Sequence, residues 1–323
     1  MPSRLLSPFL IALAAMLWGG DLLLRPQALS AGWSPARLVL GEHLLLCVLF
    51  APTLWRGRAQ FARLTRGQWA ALLFVGWGGS ALATWLYTSA FALDGSRALT
   101  VILLQKTQPL VAITLAGLVL GERRAWTFWL WAGGAVAGAY LLIGFQAAPS
   151  LRDIRAEQAG LALGASALWG AATVAGRLLT PALSPGPLAG ARFALALPIL
   201  AVLTLVPVPS SHGPLLLPPL HTLLGPAGYA LLFLVMIVLL PDLAGMRLYY
   251  GGLGGTPASV ATLAELCYPL TSLLLGVLVL HSPVSAGQWV GLAVLLASVL
   301  GLTYRPGVSA PEEAVHGVPA AVS

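Results

Sequence analysis

Charged residues are scarce in this 323-residue sequence, where they make up only 8% of the chain. Soluble domains carry roughly 25% charged residues, so the composition excludes an ordinary soluble protein. Hydrophobic residues make up 58% of the chain and the mean hydropathy is +0.88, which indicates a protein with several membrane spans. The length leaves room for about ten spans of ~20 residues. No stretch is long and polar enough to form a separate soluble domain.

Motifs for several kinds of chemistry are also missing. The sequence has no Gly-x-x-x-x-Gly-Lys-Ser/Thr phosphate loop, so this chain has no site of that type for driving transport with ATP. It has no His-Glu-x-x-His motif, no Cys/His cluster with zinc spacing and no Gly-x-Ser-x-Gly elbow. Its two cysteines, Cys47 and Cys267, lie in apolar stretches and are predicted to be buried thiols. We therefore predict no cofactor, no metal site and no enzymatic activity.

Apolar stretches separated by turn residues predict an all-α integral membrane protein with ten transmembrane helices. We call them spans 1 to 10, and they cover residues 5–25, 36–55, 68–91, 98–120, 126–145, 158–180, 187–206, 225–250, 258–280 and 285–304. The N-terminal stretch has features of a signal peptide, but it matches a segment in the middle of the chain and is predicted to remain as the first helix. Residues 306–323 are small and polar with several prolines, and they are predicted to form a disordered cytoplasmic tail.

The sequence contains an internal duplication. The stretch from Ala98 to Glu122 recurs from Ala258, and Pro109 aligns with Pro269 at a shift of 160 residues. Two shorter segments also align, residues 12–19 with 162–170 and residues 36–38 with 191–193. Each copy has five spans, an odd number, so the second copy must enter the membrane from the opposite side. We predict inverted-topology repeats at 1–147 and 148–305, with a substrate site near the midplane between them.

The arginines predict that both termini are cytoplasmic. In that orientation the cytoplasmic side carries Arg4, Arg56, Arg58, Arg63, Arg66, Arg123, Arg124, Arg177 and Arg305. The opposite side carries Arg97, Arg152 and Arg155, with Arg25 and Arg37 near that boundary. The formal net charge of +7 therefore reflects membrane orientation, and nucleic acid is not expected as a partner.

Glycines at helical spacing predict close contacts between helices. Gly117-x-x-x-Gly121 lies in span 4 and Gly134-x-x-x-Gly138 lies in span 5. Such pairs serve contacts within one chain or between two chains, so a monomer and a weak homo-oligomer both remain open.

At this point the chain resembles a known family. Span 1 ends in Leu-Trp-Gly, span 2 starts with Ala-Arg-Leu, and span 4 has Pro109 followed by Leu120-Gly121-Glu122. These features, in two five-helix halves, are similar to the ten-helix EamA-type members of the drug/metabolite transporter superfamily, and most similar to YddG-like exporters of aromatic and other neutral amino acids. The second copy departs from the pattern, with Leu280-His281-Ser282 where Gly-Glu is expected.

The resemblance implies a multi-pass protein of a bacterial inner membrane. It implies a central cavity lined mainly by helices 1, 3, 4, 6, 8 and 9. It also implies that small metabolites leave the cytoplasm by alternating access.

Ionisable residues inside the spans are functional candidates, because charges in a bilayer are costly and usually face the interior of the bundle. Lys106 lies three residues before Pro109. Two interpretations are open: Lys106 anchors a substrate carboxylate, or it forms a buried ion pair with Glu265 or Glu42. Glu265 is a candidate ammonium partner or proton carrier.

Span 2 carries Glu42 beside His43, which could titrate near neutral pH. Proton coupling is therefore assigned to Glu42, His43 and Glu265, although a hydrogen-bonded interior role for His43 is an equal alternative. Asp21 and Arg25 are four residues apart and are expected to pair on one helix face.

Aromatic residues supply the second set of candidates. Trp18 and Trp169 are equivalent in the repeats and are predicted on opposite sides of one cavity, whose walls suit an apolar or aromatic solute. Helix packing is the alternative for each aromatic residue. The predicted substrate-binding set is Trp18, His43, Trp85, Tyr87, Lys106, Trp169, Tyr249, Glu265 and Tyr268, with Pro109 and Pro269 as helix kinks.

The sequence thus predicts a secondary transporter that exports small amphipathic metabolites, with aromatic and other neutral amino acids as the expected substrates. The alternative is a membrane-embedded enzyme, or a flippase, that acts on a lipid or isoprenoid-linked substrate. Inverted duplication favours transport, because a symmetric fold provides two equivalent gates.

Overall fold

The structure is a computed structural model, and it describes residues 2–93, 98–144, 155–208, 215, 217–278 and 284–304. Within these ranges the regular structure is helical and contains no β-strand. The predicted repeat boundary at 147/148, the tail at 306–323 and the segment Leu280-His281-Ser282 lie outside the described residues. Arg97, Arg152 and Arg305, which entered the prediction of topology, lie outside them as well.

Fifteen α-helices are described in the ranges above. In chain order they are α1 (Pro2–Trp18), α2 (Asp21–Ser30), α3 (Pro35–Phe61), α4 (Arg66–Phe74), α5 (Ala83–Leu93), α6 (Ala98–Gln105), α7 (Gln108–Leu120), α8 (Trp126–Gly144), α9 (Ala156–Leu179), α10 (Pro185–Leu203), α11 (Pro218–Ile237), α12 (Gly245–Leu253), α13 (Ala258–Ala264), α14 (Tyr268–Leu278) and α15 (Ala286–Tyr304). The π-helical segments Val75–Leu82 and Val238–Ala244 join α4 to α5 and α11 to α12, and the 3-10 turn Glu265–Cys267 joins α13 to α14.

Eight helical stretches, followed across these short interruptions, are long and apolar enough to cross a membrane. They are Leu6–Ser30, Pro35–Phe61, Arg66–Leu93, Val101–Leu120, Ala156–Leu179, Pro185–Leu203, Pro218–Leu253 and Ala258–Leu275. Large apolar side chains such as Val48, Leu118 and Leu223 are exposed on the outside of the bundle, whereas Glu42 and His43 are buried inside it. This distribution suits a lipid-facing surface. The predicted number of ten spans remains a prediction.

Two membrane-length stretches are interrupted at positions that align in the duplication. α6 ends at Gln105 and α7 begins at Gln108, so that Pro109 lies in the first turn of α7. α13 ends at Ala264, and Pro269 lies in the first turn of α14. Proline is tolerated in a first turn because its missing N–H needs no helical partner there. At the first break the Leu104 carbonyl accepts from the Thr107 backbone nitrogen at 3.1 Å and from the Thr107 hydroxyl at 2.8 Å.

The two π-helical segments have no counterpart in the sequence-based prediction. Val75–Leu82 contains Gly76, Gly78 and Gly79, and Val238–Ala244 contains Pro241. π-helical turns are rare and are often found at functional sites. Here they carry Ser80 and Asp242 into the centre of the bundle.

Glycine packing is confirmed in span 5. A Cβ atom added at Gly138 of α8 would lie 2.6 Å from the Leu295 nitrogen of α15, so only glycine permits this approach of the two helices. At Gly117-x-x-x-Gly121 the corresponding helix contact is not formed within the described part of the chain, and a contact between two chains remains a prediction. Gly121 lies just after α7 with a φ of 66°, where it ends the helix in the left-handed conformation.

Two predicted spans continue into longer helical stretches in the structure. α3 continues through Arg56 and Arg58 to Phe61 instead of stopping at residue 55. The Arg58 guanidinium lies 4.3 Å from the Trp55 ring centre and donates to the Trp55 carbonyl at 3.0 Å, so the last turns are stabilised after the apolar run ends. α11 begins at Pro218 and is kinked at Gly225, where the prediction placed the start of span 8.

Candidate substrate cavity

A cavity of about 100 Å³ lies in the centre of the bundle. Residues from both halves of the sequence line it, and they come mainly from the helix breaks, the π-helical segments and α9. The lining residues are Trp18, Asp21, Arg25, Glu42, His43, Ser80, Thr84, Tyr87, Gln105, Lys106, Gln108, Trp169, Ala172, Thr173, Arg192, Phe193, Asp242, Met246, Tyr249, Glu265 and Tyr268.

The aromatic walls are built by reciprocal pairs between the two halves. Trp18 packs on Tyr249 with ring centres 5.2 Å apart, and Trp169 packs on Tyr87 with ring centres 5.0 Å apart. Tyr87 also shares a hydrogen bond of 3.0 Å with the hydroxyl of Tyr268. Aromatic pairs at these separations are attractive beyond their buried area, so the walls are held in place and offer ring faces and edges to a solute.

Lys106 is the only lysine in the sequence, and it lies in the break between α6 and α7. Its side chain is buried, and its ammonium lies 3.9 Å from the centre of the Tyr268 ring. Among the residues that the structure describes, no carboxylate oxygen lies within 4 Å of this ammonium. The ring attracts the cation but does not neutralise it.

Glu265, by contrast, is held by hydrogen bonds. The Gln108 amide donates to Glu265 Oε2 at 2.7 Å, and the Thr173 hydroxyl lies 3.4 Å from Glu265 Oε1. Gln105 donates to Gln108 at 2.6 Å, and Tyr249 donates to Thr173 at 3.1 Å, so the carboxylate belongs to a network across four helices. The ion pair between Lys106 and Glu265, one of the two interpretations of Lys106, is not formed as a direct contact.

A cluster of buried charges occupies another side of the cavity, around Arg25. The Arg25 guanidinium donates to Glu42 Oε1 at 2.8 Å and to the Thr88 hydroxyl at 3.2 Å. Its Nε lies 2.9 Å from Asp21 Oδ2, which confirms the expected pairing of residues four apart. Glu42 is therefore engaged by Arg25, and the alternative pair of Glu42 with Lys106 is not formed.

His43 is hydrogen-bonded through both ring nitrogens. Nδ1 lies 2.8 Å from the Val39 carbonyl, so it carries the proton, and Nε2 lies 2.9 Å from the Ser80 hydroxyl. Arg192 donates to the same hydroxyl at 3.1 Å and to the Gly79 carbonyl at 3.1 Å. These contacts attach α3 and α10 to the first π-helical segment.

Arg192 also links the cavity to the lining of a neighbouring hollow. Its Nη1 donates to the Tyr250 hydroxyl at 3.3 Å. Tyr250 lines a second hollow of about 490 Å³, together with Gln60 and Ser184, where α3, α9, α10 and α12 meet.

Asp242 differs from the other three carboxylates of the cavity. It lies in the second π-helical segment, and its Oδ2 is buried without a hydrogen-bond partner in the described part of the chain. Asp21 has one such oxygen, Oδ1, and the indole nitrogen of Trp18 is also buried and unpaired there. The cavity thus holds buried polar atoms that nothing in the described residues satisfies, which is unusual for a protein interior.

Eight of the nine residues predicted to bind substrate line the cavity. Trp85 is the exception, since it is half-buried in α5 and lies outside the lining set. Glu42 lines the cavity, whereas Pro109 and Pro269 do not. The predicted set did not include four further ionisable lining residues, Asp21, Arg25, Arg192 and Asp242, although their charge inside apolar spans is a signal for them. In the described ranges, no group of three or more His, Cys, Asp and Glu side chains is arranged to hold a metal ion.

Membrane-length helices around a buried cavity of charged and aromatic residues define a solute-handling membrane protein. The model of the EamA-like transporter family matches residues 5–144 and 158–304. The chain therefore belongs to the EamA-like transporter family, and it is a multi-pass membrane transporter. The two matched ranges together cover most of the chain.

Comparison with known proteins finds transporters as relatives. The riboflavin transporter ImpX of Fusobacterium nucleatum is 29% identical over 310 residues, which cover 94% of this chain and 99% of that protein. The uncharacterized transporter YwfM of Bacillus subtilis is 28% identical over 210 residues, which cover 64% of this chain and 65% of that protein. A crystal structure of a protein with 18% identity has a TM-score of 0.68 and covers 98% of this chain, which shows a shared fold. Family and relatives agree with transport rather than enzymatic activity.

Proposed function

We propose that the protein is a secondary transporter that moves a small aromatic solute with a carboxylate group, such as an aromatic amino acid, through the central cavity. The observation that carries this proposal is the single lysine, buried in a helix break with no carboxylate oxygen within 4 Å among the described residues. A buried ammonium is costly without a counter-charge, and a solute carboxylate supplies one. The aromatic pairs around it suit the ring of the same solute.

We further propose that the solute moves by alternating access between two inverted halves of five spans each. The repeated sequence pattern, the two family matches and the aligned positions of the helix breaks support this arrangement. Most of the side chains that line the cavity are buried, so alternating access requires the lining helices to separate for the solute to enter.

The proposed direction is export across a bacterial inner membrane, with both termini in the cytoplasm. The excess of arginines at the cytoplasmic ends of the spans supports this orientation. Reporter fusions at both termini test it, since a terminus found outside the cytoplasm would contradict the assignment.

Riboflavin is the second candidate solute, because the relative ImpX is named a riboflavin transporter and aligns over nearly its whole length. Riboflavin has a flat aromatic ring and a hydrogen-bonding polyol chain but no carboxylate. The aromatic pairs fit its ring, and the polar atoms that line the cavity fit its polyol. It gives the Lys106 ammonium no counter-charge, so the two candidates make different demands on Lys106.

The test is uptake of labelled phenylalanine, tyrosine, tryptophan and riboflavin into liposomes that contain the purified protein. We expect wild-type protein to transport the amino acids, and Lys106→Gln to lower that transport at least tenfold, because a charge-assisted hydrogen bond in a buried site is worth roughly 1.5–3 kcal/mol. Arg58→Gln, at the exposed end of α3, is the control and should transport normally.

Two outcomes contradict the proposal in different ways. Normal amino-acid transport by Lys106→Gln would mean that Lys106 does not bind the solute carboxylate. Transport of riboflavin alone, with no loss in Lys106→Gln, would identify the second candidate as the solute.

A further inference from the structure

We propose that Asp242, together with Asp21, binds the positively charged ammonium group of the solute, whereas Lys106 binds its carboxylate. This inference rests on the proposed function and assigns a second anchor to the same solute. It replaces Glu265 as the ammonium partner that the sequence suggested.

The first step concerns the hydrogen bonds of Asp242. Its Oδ2 is buried in the cavity wall without a partner among the described residues. The two guanidinium groups in this cluster direct their hydrogen bonds elsewhere, Arg25 to Glu42 and Thr88, and Arg192 to Ser80, Gly79 and Tyr250. Asp242 therefore keeps an acceptor available for a ligand.

The second step concerns Asp21, which sits directly after the break between α1 and α2. Its Oδ2 is paired with Arg25, but its Oδ1 is buried and unpaired in the described part of the molecule. The residue is 7% exposed and lines the same cavity. Two carboxylates from two different helix interruptions thus offer one unused oxygen each.

The third step concerns the balance of charge. The ionisable groups on this side of the cavity are the carboxyls of Asp21, Glu42 and Asp242, the guanidinium groups of Arg25 and Arg192, and the imidazole of His43. With His43 neutral, the three carboxylates exceed the two guanidinium groups by one negative charge. The Asp242 side of the lining therefore carries an excess of negative charge, which attracts the ammonium group of an amino acid.

The fourth step concerns Glu265. Its oxygens accept from Gln108 and approach Thr173, and both of those residues are themselves fixed by further hydrogen bonds. A carboxylate with these partners has less to gain from a solute than one with an unused oxygen. Glu265 is therefore better suited to positioning Gln108 and Thr173 than to recognising an ammonium.

The fifth step decides the kind of cation. The Trp18 and Tyr249 rings form the adjoining wall, and aromatic faces attract organic ammonium groups. Two carboxylate oxygens beside aromatic rings fit an ammonium better than a sodium ion, which requires several more oxygen ligands.

The experiment measures binding of three compounds by the full-length protein: phenylalanine, 3-phenylpropionate, which lacks the ammonium, and phenethylamine, which lacks the carboxylate. We expect wild-type protein to prefer phenylalanine over 3-phenylpropionate at least tenfold. Asp242→Asn should weaken phenylalanine binding at least tenfold and change 3-phenylpropionate binding less than threefold. Lys106→Gln should weaken the binding of both phenylalanine and 3-phenylpropionate, which carry the carboxylate, and should spare phenethylamine.

Glu157→Gln, at an exposed position at the start of α9, is the matched control and should retain the preference for phenylalanine. Asp242→Asn should assemble with unchanged or higher thermal stability, because it removes a buried carboxylate that has no bonded partner. Asp242→Ser, a second neutral variant, must give the same loss of preference. This second variant keeps the test decisive where one substitution fails to assemble.

Three results separate the possible failures. Retention of the phenylalanine preference in both neutral variants overturns the inference. The inference is also overturned if the Asp242 variants keep the preference for phenylalanine but their transport no longer depends on sodium or on pH. That result would identify Asp242 as a coupling-ion site. Wild-type protein that binds none of the three compounds while it transports riboflavin overturns the proposed function itself.

Discussion

The break between α6 and α7 and the break between α13 and α14 bring opposite charges to one cavity, and they hold those charges differently. The Lys106 ammonium, at the first break, lies 3.9 Å from the centre of the Tyr268 ring and forms no hydrogen bond with the described residues. Glu265, at the second, is bound by Gln108 from the first half of the chain and by Thr173 from α9. The two breaks therefore hold their charged side chains differently. The Lys106 ammonium has no carboxylate oxygen within 4 Å among the described residues, whereas Glu265 joins the helices around the site.

The largest expected effect comes from removing the bound charge. Glu265→Ala leaves the buried Gln108 amide without its acceptor, whereas the Thr173 hydroxyl keeps the Trp169 carbonyl at 3.1 Å. One unsatisfied buried group costs roughly 1–3 kcal/mol, so we expect the free energy of unfolding to fall by about that amount, measured by denaturant titration in detergent. Lys106→Ala removes one cation–π contact and should cost about 1 kcal/mol.

The comparison between the two breaks depends on that contrast. Equal destabilisation by the two alanine substitutions would show that Lys106 is as structural as Glu265. Greater destabilisation by Lys106→Ala would reverse the assignment of tasks.

The breaks themselves could be anticipated from the sequence, but their chemistry could not. Proline in an apolar span signals an interruption, and Pro109 and Pro269 each lie in the first turn of the helix that follows the break. Whether Lys106 pairs with Glu265 depends on side-chain distances across the bundle, which no local pattern encodes. The π-helical segments were missed because their apolar residues follow no period that differs visibly from that of an α-helix over seven or eight positions.

The aromatic walls show a similar division. Trp18 and Trp169 were predicted from the repeat, and both line the cavity. The pairing of each with a tyrosine from the other half follows only from the packing of the helices. Trp85 was included by residue type alone, and nothing in the sequence separates it from Tyr87, two positions later on the same helix.

A smaller effect is expected where the first interrupted helix ends. Gly121 has a φ of 66°, a conformation that costs roughly 1–2 kcal/mol for a residue with a Cβ atom. Gly121→Ala should therefore lower the free energy of unfolding by about 1 kcal/mol. Gly117→Ala is the control, because its added Cβ atom meets only a carbonyl oxygen at 3.7 Å and alanine favours the helix.

Gly117→Ala should leave stability unchanged or slightly higher. If Gly117→Ala proved to be the more damaging substitution, the pair would act in helix contact after all, as the spacing of the two glycines had indicated. The same denaturant titration measures both variants.

Glu122 joins the two interrupted helices directly. Placed after α7 by the turn at Gly121, it accepts hydrogen bonds from the backbone nitrogens of Ala258 and Ser259 at 2.8 and 3.1 Å, which begin α13. The Ser259 hydroxyl donates at 2.6 Å and Arg124 at 2.7 Å. The end of one interrupted helix thus caps the start of the other, at the N-terminus where a negative charge is favourable.

The smallest expected effect tests this cap through pH. Burial tends to raise the pKa of Glu122, but the hydrogen bonds from Ser259 and Arg124 outweigh it and hold the pKa below the ordinary value of 4.5. A lowered pKa in the folded state means that the carboxylate stabilises the fold above about pH 4.5, and that this contribution is lost as the pH falls through the folded-state pKa. Glu122→Gln should lower the free energy of unfolding by about 1 kcal/mol at pH 7, and the difference from wild type should shrink below pH 4.5. Glu157→Gln, at an exposed position at the start of α9, should show neither effect. A difference between Glu122→Gln and wild type that stays constant from pH 7 to pH 3 would mean that the cap acts through shape rather than charge.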